Sequence, residues 1–382
     1  MVLGMLAWSV GNAHAQIVER LPRLAYVYPA GGQQGTTIDV LVGGQFIQGC
    51  NQVHVNASGV TAKIVEKYRP LRLFSLEKEQ RDEMHRRLVT LVQLRWEEMH
   101  KQGLVDGRIP WTWALRAPTP ALDDEKPVEL PKHPLLVDWE KKSLRELIYL
   151  RESLTTYQRR QQNQQLDESI RLELTIAKDT QPGIYEIRMV GSQGLTNPLL
   201  FVVGMLPETS EIENNDPGEE LPIPADKPLA LPLTINGQIM AGDVDRIRFQ
   251  AVVGQQLVVQ VQARTLIPFL ADAVPGWVQP VLAIYDPQGR EIGFADDHQY
   301  HPDPLLRFKV PATGIYELEI RDALYRGRED FVYRMSIGEL PIITAIHPLG
   351  GRADELLTVT MDGWNLLHGT TKCTLLLTGN FT

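Results

Sequence analysis

Through the second half of this chain, apolar residues recur at every second position in short runs broken by turn residues. That period suits β-strands that turn one side to a core and the other to water. Arg246-Ile247-Arg248-Phe249, Leu257-Val258-Val259-Gln260-Val261, Val281 to Tyr285, Leu305 to Val310, Tyr316 to Ile320 and Phe331 to Ile337 are such runs. Turn signals such as Asp286-Pro287-Gln288-Gly289 separate them. The 382 residues include 30 glycines and 26 prolines to make turns, and 43% are hydrophobic, enough to fill two or three cores. The expected fold class is mainly β: tandem antiparallel β-sandwiches, the one in this stretch having about eight strands.

A long internal repeat sets the organisation around that sandwich. Tyr28-Pro29-Ala30-Gly31-Gly32 returns as His347-Pro348-Leu349-Gly350-Gly351, and the register then continues without a gap. Ile38, Val40 and Val42 align with Leu357, Val359 and Met361, and Gly44-Gln45-Phe46 aligns with Gly363-Trp364-Asn365. Each copy is a Pro-Gly-Gly turn followed by an alternating strand. Both resemble the start of an IPT/TIG-type immunoglobulin-like domain, with Gly35 fitting the family's opening and Asp354 standing at the matching place in the second copy. A complete sandwich of this kind takes about 100 residues, so the second copy reads as the start of an incomplete module.

The first copy is interrupted by text of another period. Within the charge-rich stretch from Glu77 to Gly103, Met84, Leu88, Leu91, Val92 and Met99 fall at three- and four-residue spacing, which makes an amphipathic helix. A connector containing Trp111 and Trp113 follows, and a second helical run is expected from about Leu136 to Gln165, with Val137, Leu144, Leu147, Ile148, Leu154 and Tyr157 as its stripe. The pair forms a helical hairpin inserted at 71–165, after which strands resume at Ile170. Trp96, Trp111, Trp113 and Trp139 suit either packing of the hairpin or a partner surface.

Residues 210–338 carry a second resemblance. Glu213-Asn214-Asn215-Asp216, Gly242-Asp243-Val244-Asp245 leading into Ile247-Arg248-Phe249, Leu282-Ala283-Ile284-Tyr285-Asp286, Pro311-Ala312-Thr313-Gly314-Ile315-Tyr316 and Tyr333-Arg334-Met335 follow one another as in the bacterial pre-peptidase C-terminal (PPC) domain. Arg246 takes the place of the family's usual aromatic. The resemblance implies a jelly-roll-like sandwich of the sort appended to secreted peptidases and other exported proteins, without making it a peptidase. The expected domains are therefore a signal peptide at 1–15, an IPT/TIG-like sandwich at 16–206, the PPC-like sandwich at 207–340 and the incomplete module at 341–382.

Export has its own signal. Met1 to Ala15 is an apolar stretch ending in Ala13-His14-Ala15, the small-x-small pattern read by signal peptidase, although no basic residue precedes Arg20. The protein is expected outside the cytoplasm, whether periplasmic, at the cell surface or secreted. Cys50 and Cys373, far apart in sequence, read as buried thiols rather than a disulfide framework. The net charge of −9 argues against nucleic acid as a partner, and no apolar run is long enough to span a membrane as a helix.

Nucleophile elbows, zinc-protease helices, phosphate-binding loops and Cys-x-x-Cys pairs are all missing from the sequence. His85 and His100 follow Asp82 and Glu97 at helical spacing, and Asp296-Asp297-His298-Gln299-Tyr300-His301-Pro302-Asp303 is a denser polar cluster. Both read first as solvated surface or turn chemistry. The strongest candidate site is metal-binding. Glu211, Glu213, Asn215 and Asp216 lie within six residues at the entry to the second sandwich, and Asp243 and Asp245 could add carboxylates from its first turn. Calcium takes six to eight oxygen ligands with carboxylates among them. The linker also resembles the calcium-binding linker of collagen-binding domains, which makes the four linker residues candidate ligands. The expected function is a non-catalytic binding or structural array whose sandwiches act as spacers or adhesive surfaces toward an extracellular or envelope protein or polysaccharide. The alternative is the ancillary amino-terminal region of a larger secreted hydrolase.

Overall fold

In the computed structural model the described residues are 21–69, 76–109, 128–157, 163, 165–166, 168–213, 227–267, 277–366 and 371–376. The segment read as a signal peptide, Trp111, Trp113, Asn215 and Asp216 lie outside them.

The first sandwich is built from β1 (Arg23–Tyr28), β2 (Gly31–Gln33), β3 (Thr37–Gln45), β4 (Cys50–Val55) and β5 (Val60–Tyr68), then, beyond the insertion, β6 (Glu168–Ile176), β7 (Gly183–Gly191), β8 (Gly194–Leu195) and β9 (Leu199–Gly204). One sheet has the order β1-β3-β6-β5; the other runs β2-β9-β7-β4, with β8 hairpinned onto β7. Alternate positions of the two sheets, among them Val40, Val42, Leu172, Leu174, Met189 and Phe201, face one another and are fully buried. The insertion leaves from Tyr68 and returns at Ser169, which are paired neighbours, so it occupies a hairpin loop of an otherwise intact sheet.

Within the insertion, α1 (Lys78–Lys101) starts with a capping box in which Glu77 and Gln80 exchange hydrogen bonds. Its stripe of Met84, Leu88, Val92 and Trp96 packs on Leu144, Leu147, Ile148 and Leu154 of α2 (Leu144–Tyr157). The second helix is shorter at its start than the spacing predicts. Pro134 begins a separate 3-10 turn over Pro134–Leu136, and Asp138 in the left-handed region precedes another over Trp139–Lys141, so Val137 lies outside the helix. Trp96 and Trp139 are buried, which makes them packing residues of the hairpin.

The linker strand β10 (Glu208–Ser210) joins the second sandwich by pairing parallel to β11 (Leu233–Gln238). The eight-strand expectation is met by β11, β12 (Val244–Ala251), β13 (Gln256–Gln262), β14 (Pro280–Tyr285), β15 (Glu291–Ala295), β16 (Leu305–Lys309), β17 (Gly314–Asp322) and β18 (Val332–Gly338). Their sheets are β10-β11-β18-β13-β16 and β12-β17-β14-β15. Phe249 stacks on Tyr316 in the core between them. Arg246, where the PPC pattern has an aromatic, instead lies over the Tyr285 ring at 5.1 Å and pairs with Glu317 and Glu319.

The terminal sheet of β19 (Ile342–His347), β20 (Leu356–Trp364) and β21 (Lys372–Leu376) repeats the first module in detail. β1 and β3 pair with a register shift between Leu24 and Tyr26; β19 and β20 shift between Ile343 and Ala345, the matching positions. Gly35 and Asp354 are both left-handed, with φ of 76° and 62°, as are Phe46 and Asn365, at 58° and 52°. Asp and Asn tolerate that region better than other residues with a side chain, so Asp354 preserves the turn that Gly35 makes. The module nevertheless differs in its packing. Leu24 and Val27 are 5% and 3% exposed, whereas their counterparts Ile343 and Ile346 are 51% and 43% exposed.

The Pro-Gly-Gly turn of the first copy lies against the second sandwich. A Cβ built on Gly31 would collide with the Val202 carbonyl of its own sheet and stand 2.5 Å from Nη1 of Arg334, whereas one built on Gly350 meets nothing within 4 Å. Gly31→Val is therefore expected to destabilise the chain by about 1–3 kcal/mol through overpacking, while Gly350→Val stays within about 0.5 kcal/mol of the parent. Urea unfolding of the two variants measures this, and equal effects would contradict it.

Candidate cation site at the junction of the first two sandwiches

The site is assembled by the linker. Glu208 on β10 receives Arg334 through both carboxylate oxygens, at 2.8 and 2.9 Å, and also accepts from Asn236 Nδ2 at 3.0 Å. Arg334 donates to Asn236 Oδ1 at 2.7 Å. This anchors the chain in register with β11, and Glu211 N continues the pairing by donating to the Asn236 carbonyl. The Glu211 side chain then turns inward over Gly237, where a side chain would collide with it. Glu211 Oε1 accepts from Gln238 N at 2.7 Å, and Oε2 accepts from the Tyr333 hydroxyl at 3.0 Å.

Two residues on, Glu213 meets the turn that opens β12. Single carboxylate oxygens of Glu213, Asp243 and Asp245 lie within 4.8 Å of one another. Asp245 is fully buried and Asp243 is 7% exposed. Asp243 Oδ2 also accepts from Met240 N at 2.8 Å, closing the turn that Gly242 makes with φ of 87°. Two oxygens on opposite sides of a calcium ion, each about 2.4 Å from it, are separated by about 4.8 Å, so the three carboxylates can share one such ion. Of the six residues expected from sequence, Glu213, Asp243 and Asp245 converge and Glu211 lies beside them.

The electrostatics match this crowding. Burial, followed by the carboxylates of Asp245 and Glu213, pushes the Glu211 carboxyl well above its ordinary range. Tyr28 is pushed up by burial and then by Glu211, and Tyr333 by burial and then by Asp245 and Glu211. Tyr149 of α2 is raised by burial first and Glu213 next, so the insertion also borders the site. Sequence reasoning missed these tyrosines and the Arg334–Glu208 pair. Tyr333-Arg334 was visible as part of an alternating strand and of the PPC-like pattern, neither of which assigned it to the site, and nothing local marked Tyr149.

The remaining candidates stay apart. Asp303 accepts from the backbone of Arg264 and Thr265 at 2.7 and 2.8 Å, while His298 and His301 exchange backbone bonds, so that cluster shapes a loop. His85 and His100 are exposed on α1. Cys50 is buried and Cys373 partly exposed, both as free thiols.

No family model matches the chain, and no curated protein does. Solved structures similar to it include the pre-peptidase C-terminal domain of a Bacillus anthracis collagenase, 14% identical over 30% of this chain and 99% of that one, with a TM-score of 0.21. The Aeromonas hydrophila periplasmic inhibitor of g-type lysozyme is 17% identical over 30% of this chain and 98% of its own, at 0.20. The C-terminal domain of the Streptococcus pyogenes antigen I/II-family protein AspA is 9% identical over 88% and 92%, at 0.18. Scores this low support no statement of family or function.

A carboxyl whose proton is held more tightly in the folded state than in the unfolded one contributes stability that is lost as pH rises. In EDTA, the second sandwich is therefore expected to melt at lower temperature as pH increases from the ordinary glutamate range upward, and Glu211→Gln is expected to flatten that slope. Thermal melts across this pH range check it, and an unchanged slope in the variant would contradict the assignment to Glu211.

Proposed function

We propose that the protein is an exported, non-catalytic array of β-sandwiches in which a calcium ion at the acidic junction fixes the linker to the second sandwich. The observation that carries this reading is the convergence of Glu213 from the linker with Asp243 and Asp245 from the second sandwich, oxygens within 4.8 Å. Like charges this close and this buried repel strongly unless protons or a cation compensate them. Calcium suits all-oxygen ligands and irregular geometry better than transition metals do. Glu211, Asn215 and Asp216 complete the proposed ligand set, and Gln238 adds an amide beside it.

An array stiffened in this way serves as a spacer or adhesive surface, with an extracellular or envelope protein or polysaccharide as its partner. Three features favour export: the small-x-small pattern at Ala13-His14-Ala15, the resemblance of 210–338 to modules appended to secreted proteins, and a site suited to the calcium levels outside cells. Among the described residues no helix is long and apolar enough to cross a membrane.

With the ~0.1–1 mM affinity of extracellular calcium modules, several millimolar calcium should stabilise the protein by about 1–2 kcal/mol over EDTA. Thermal melts of the parent and of the Asp243→Asn/Asp245→Asn double variant test this. The parent is expected to melt several degrees higher in calcium and the variant to show no shift. A shift of equal size in both would remove the site, as would none in the parent.

A further inference from the structure

Between the first sandwich, the helical insertion, the linker and the second sandwich lies a cavity of about 260 Å³. An apolar cavity of about 150 Å³ takes a benzene molecule, and drug-sized ligands need about 300 Å³ or more. The space therefore suits one ring or two. Its walls are mainly aromatic and aliphatic: Tyr26 and Tyr28 come from β1, Leu41 from β3, Leu135 and Tyr149 from the insertion, and Met240 from the second sandwich. Tyr28, Leu41, Leu135, Tyr149 and Met240 are only partly buried, so the protein leaves this surface incompletely covered.

The polar groups around these walls already have partners inside the protein. Glu211 accepts from Gln238 N through one oxygen and from the Tyr333 hydroxyl through the other. Glu213 and Glu329 are engaged as well. The Tyr28 hydroxyl donates to the Asn236 carbonyl, the Gln238 side-chain amide donates to the Glu329 carbonyl, and His133 Nδ1 accepts from Leu135 N. Burial lowers the pKa of that imidazole to about 4, which leaves it neutral at physiological pH. A guest consequently has no buried charge to compensate. An ammonium would meet the Arg69 guanidinium and glutamates that are already bonded, and a carboxylate would meet three glutamates, so either would lose its water without gaining a free partner. A neutral guest avoids that cost. Among neutral guests an aromatic ring gains most, since three tyrosine rings line the space and ring pairs attract one another beyond the area they bury.

We propose that this cavity binds a neutral aromatic group of one or two rings, which covers the exposed surfaces of Tyr28, Tyr149, Leu41, Leu135 and Met240. The proposal goes beyond the calcium reading and asks nothing of Asp243 or Asp245, although Glu213 borders both sites.

Met240 lies on the wall and reports on the guest, because an aromatic ring shifts the resonance of a methyl group packed against it. In the full chain labelled at methionine methyls, with the Met240 signal assigned by Met240→Leu, indole at neutral pH is expected to move that signal saturably. Tryptamine and indole-3-acetate carry the same ring with opposite charges, and each is expected to bind at least about tenfold more weakly because its charge must be desolvated. A Met240 signal that indole leaves unmoved, or equal affinity for indole and either charged analogue, would overturn the proposal. Ser153 also lines the cavity, and Ser153→Trp is expected to fill it and abolish the shift; a full response to indole in that variant, folded, would likewise overturn it. The three-ligand comparison uses the parent chain and stands even where Ser153→Trp fails to fold. N-acetyltryptophanamide presents the ring as a protein does: affinity equal to that of indole assigns a partner's side chain as the guest, and binding of indole alone assigns a free small molecule, both in keeping with the proposal. A calcium-dependent melt without an indole response sinks this proposal and leaves the calcium reading; an indole response without a calcium-dependent melt does the reverse.

Discussion

The guanidinium of Arg334 is 3% exposed, and a charge that deep must be compensated by a partner held in place. Glu208 supplies the compensation, and in doing so it fixes where the linker runs. Once β10 is locked beside β11, the chain has no freedom to carry Glu211 and Glu213 anywhere except over the entry turn of β12. The same guanidinium lies against Gly31, so the first sandwich comes close at a position without a side chain. Removing one partner of a buried pair costs about 3–5 kcal/mol. This pair thus acts well beyond its own contact, since the positions of the acids, the tyrosines and the cavity follow from it.

Between the two sandwiches the Tyr28 hydroxyl donates to the Asn236 carbonyl at 3.4 Å, and an apolar contact lies beside it. Tyr26, Ala30, Leu266 and Val332 bury one another, with Leu41, Val202 and Ile267 at the margin. The helical insertion then closes the remaining side through His133 and Tyr149. An insertion in a surface loop costs a fold little entropy, and here it contributes walls to a site none of the three bodies would have alone.

The strands were legible because their apolar period is local, and α1 was legible for the same reason. The repeat was legible as text, and the structure extends it to a shared bulge and two shared left-handed residues, one of them an Asp in the place of a Gly. The start of α2 was misjudged because a proline and a left-handed aspartate break a stripe that hydrophobic spacing alone carries through. The acids of the site could be named from the linker and the Gly-Asp-Val-Asp turn. Their meeting could not be read, because it depends on Arg334, more than a hundred residues downstream of Glu208. Tyr28 and Tyr149 reach the site from other parts of the chain: Tyr28 opens the repeat without any sign of a role here, and no motif marks Tyr149.

The central claim is that the pinned linker and the second sandwich share one cation. Tyr28, Tyr149 and Tyr333 surround the acids, so a terbium ion substituted for calcium would sit among natural sensitisers, and tyrosine-excited terbium luminescence reads the site directly. The account predicts a saturable signal that calcium displaces and that Glu213→Gln abolishes in a folded protein. A signal that is absent, or that survives Glu213→Gln at full strength, would contradict it.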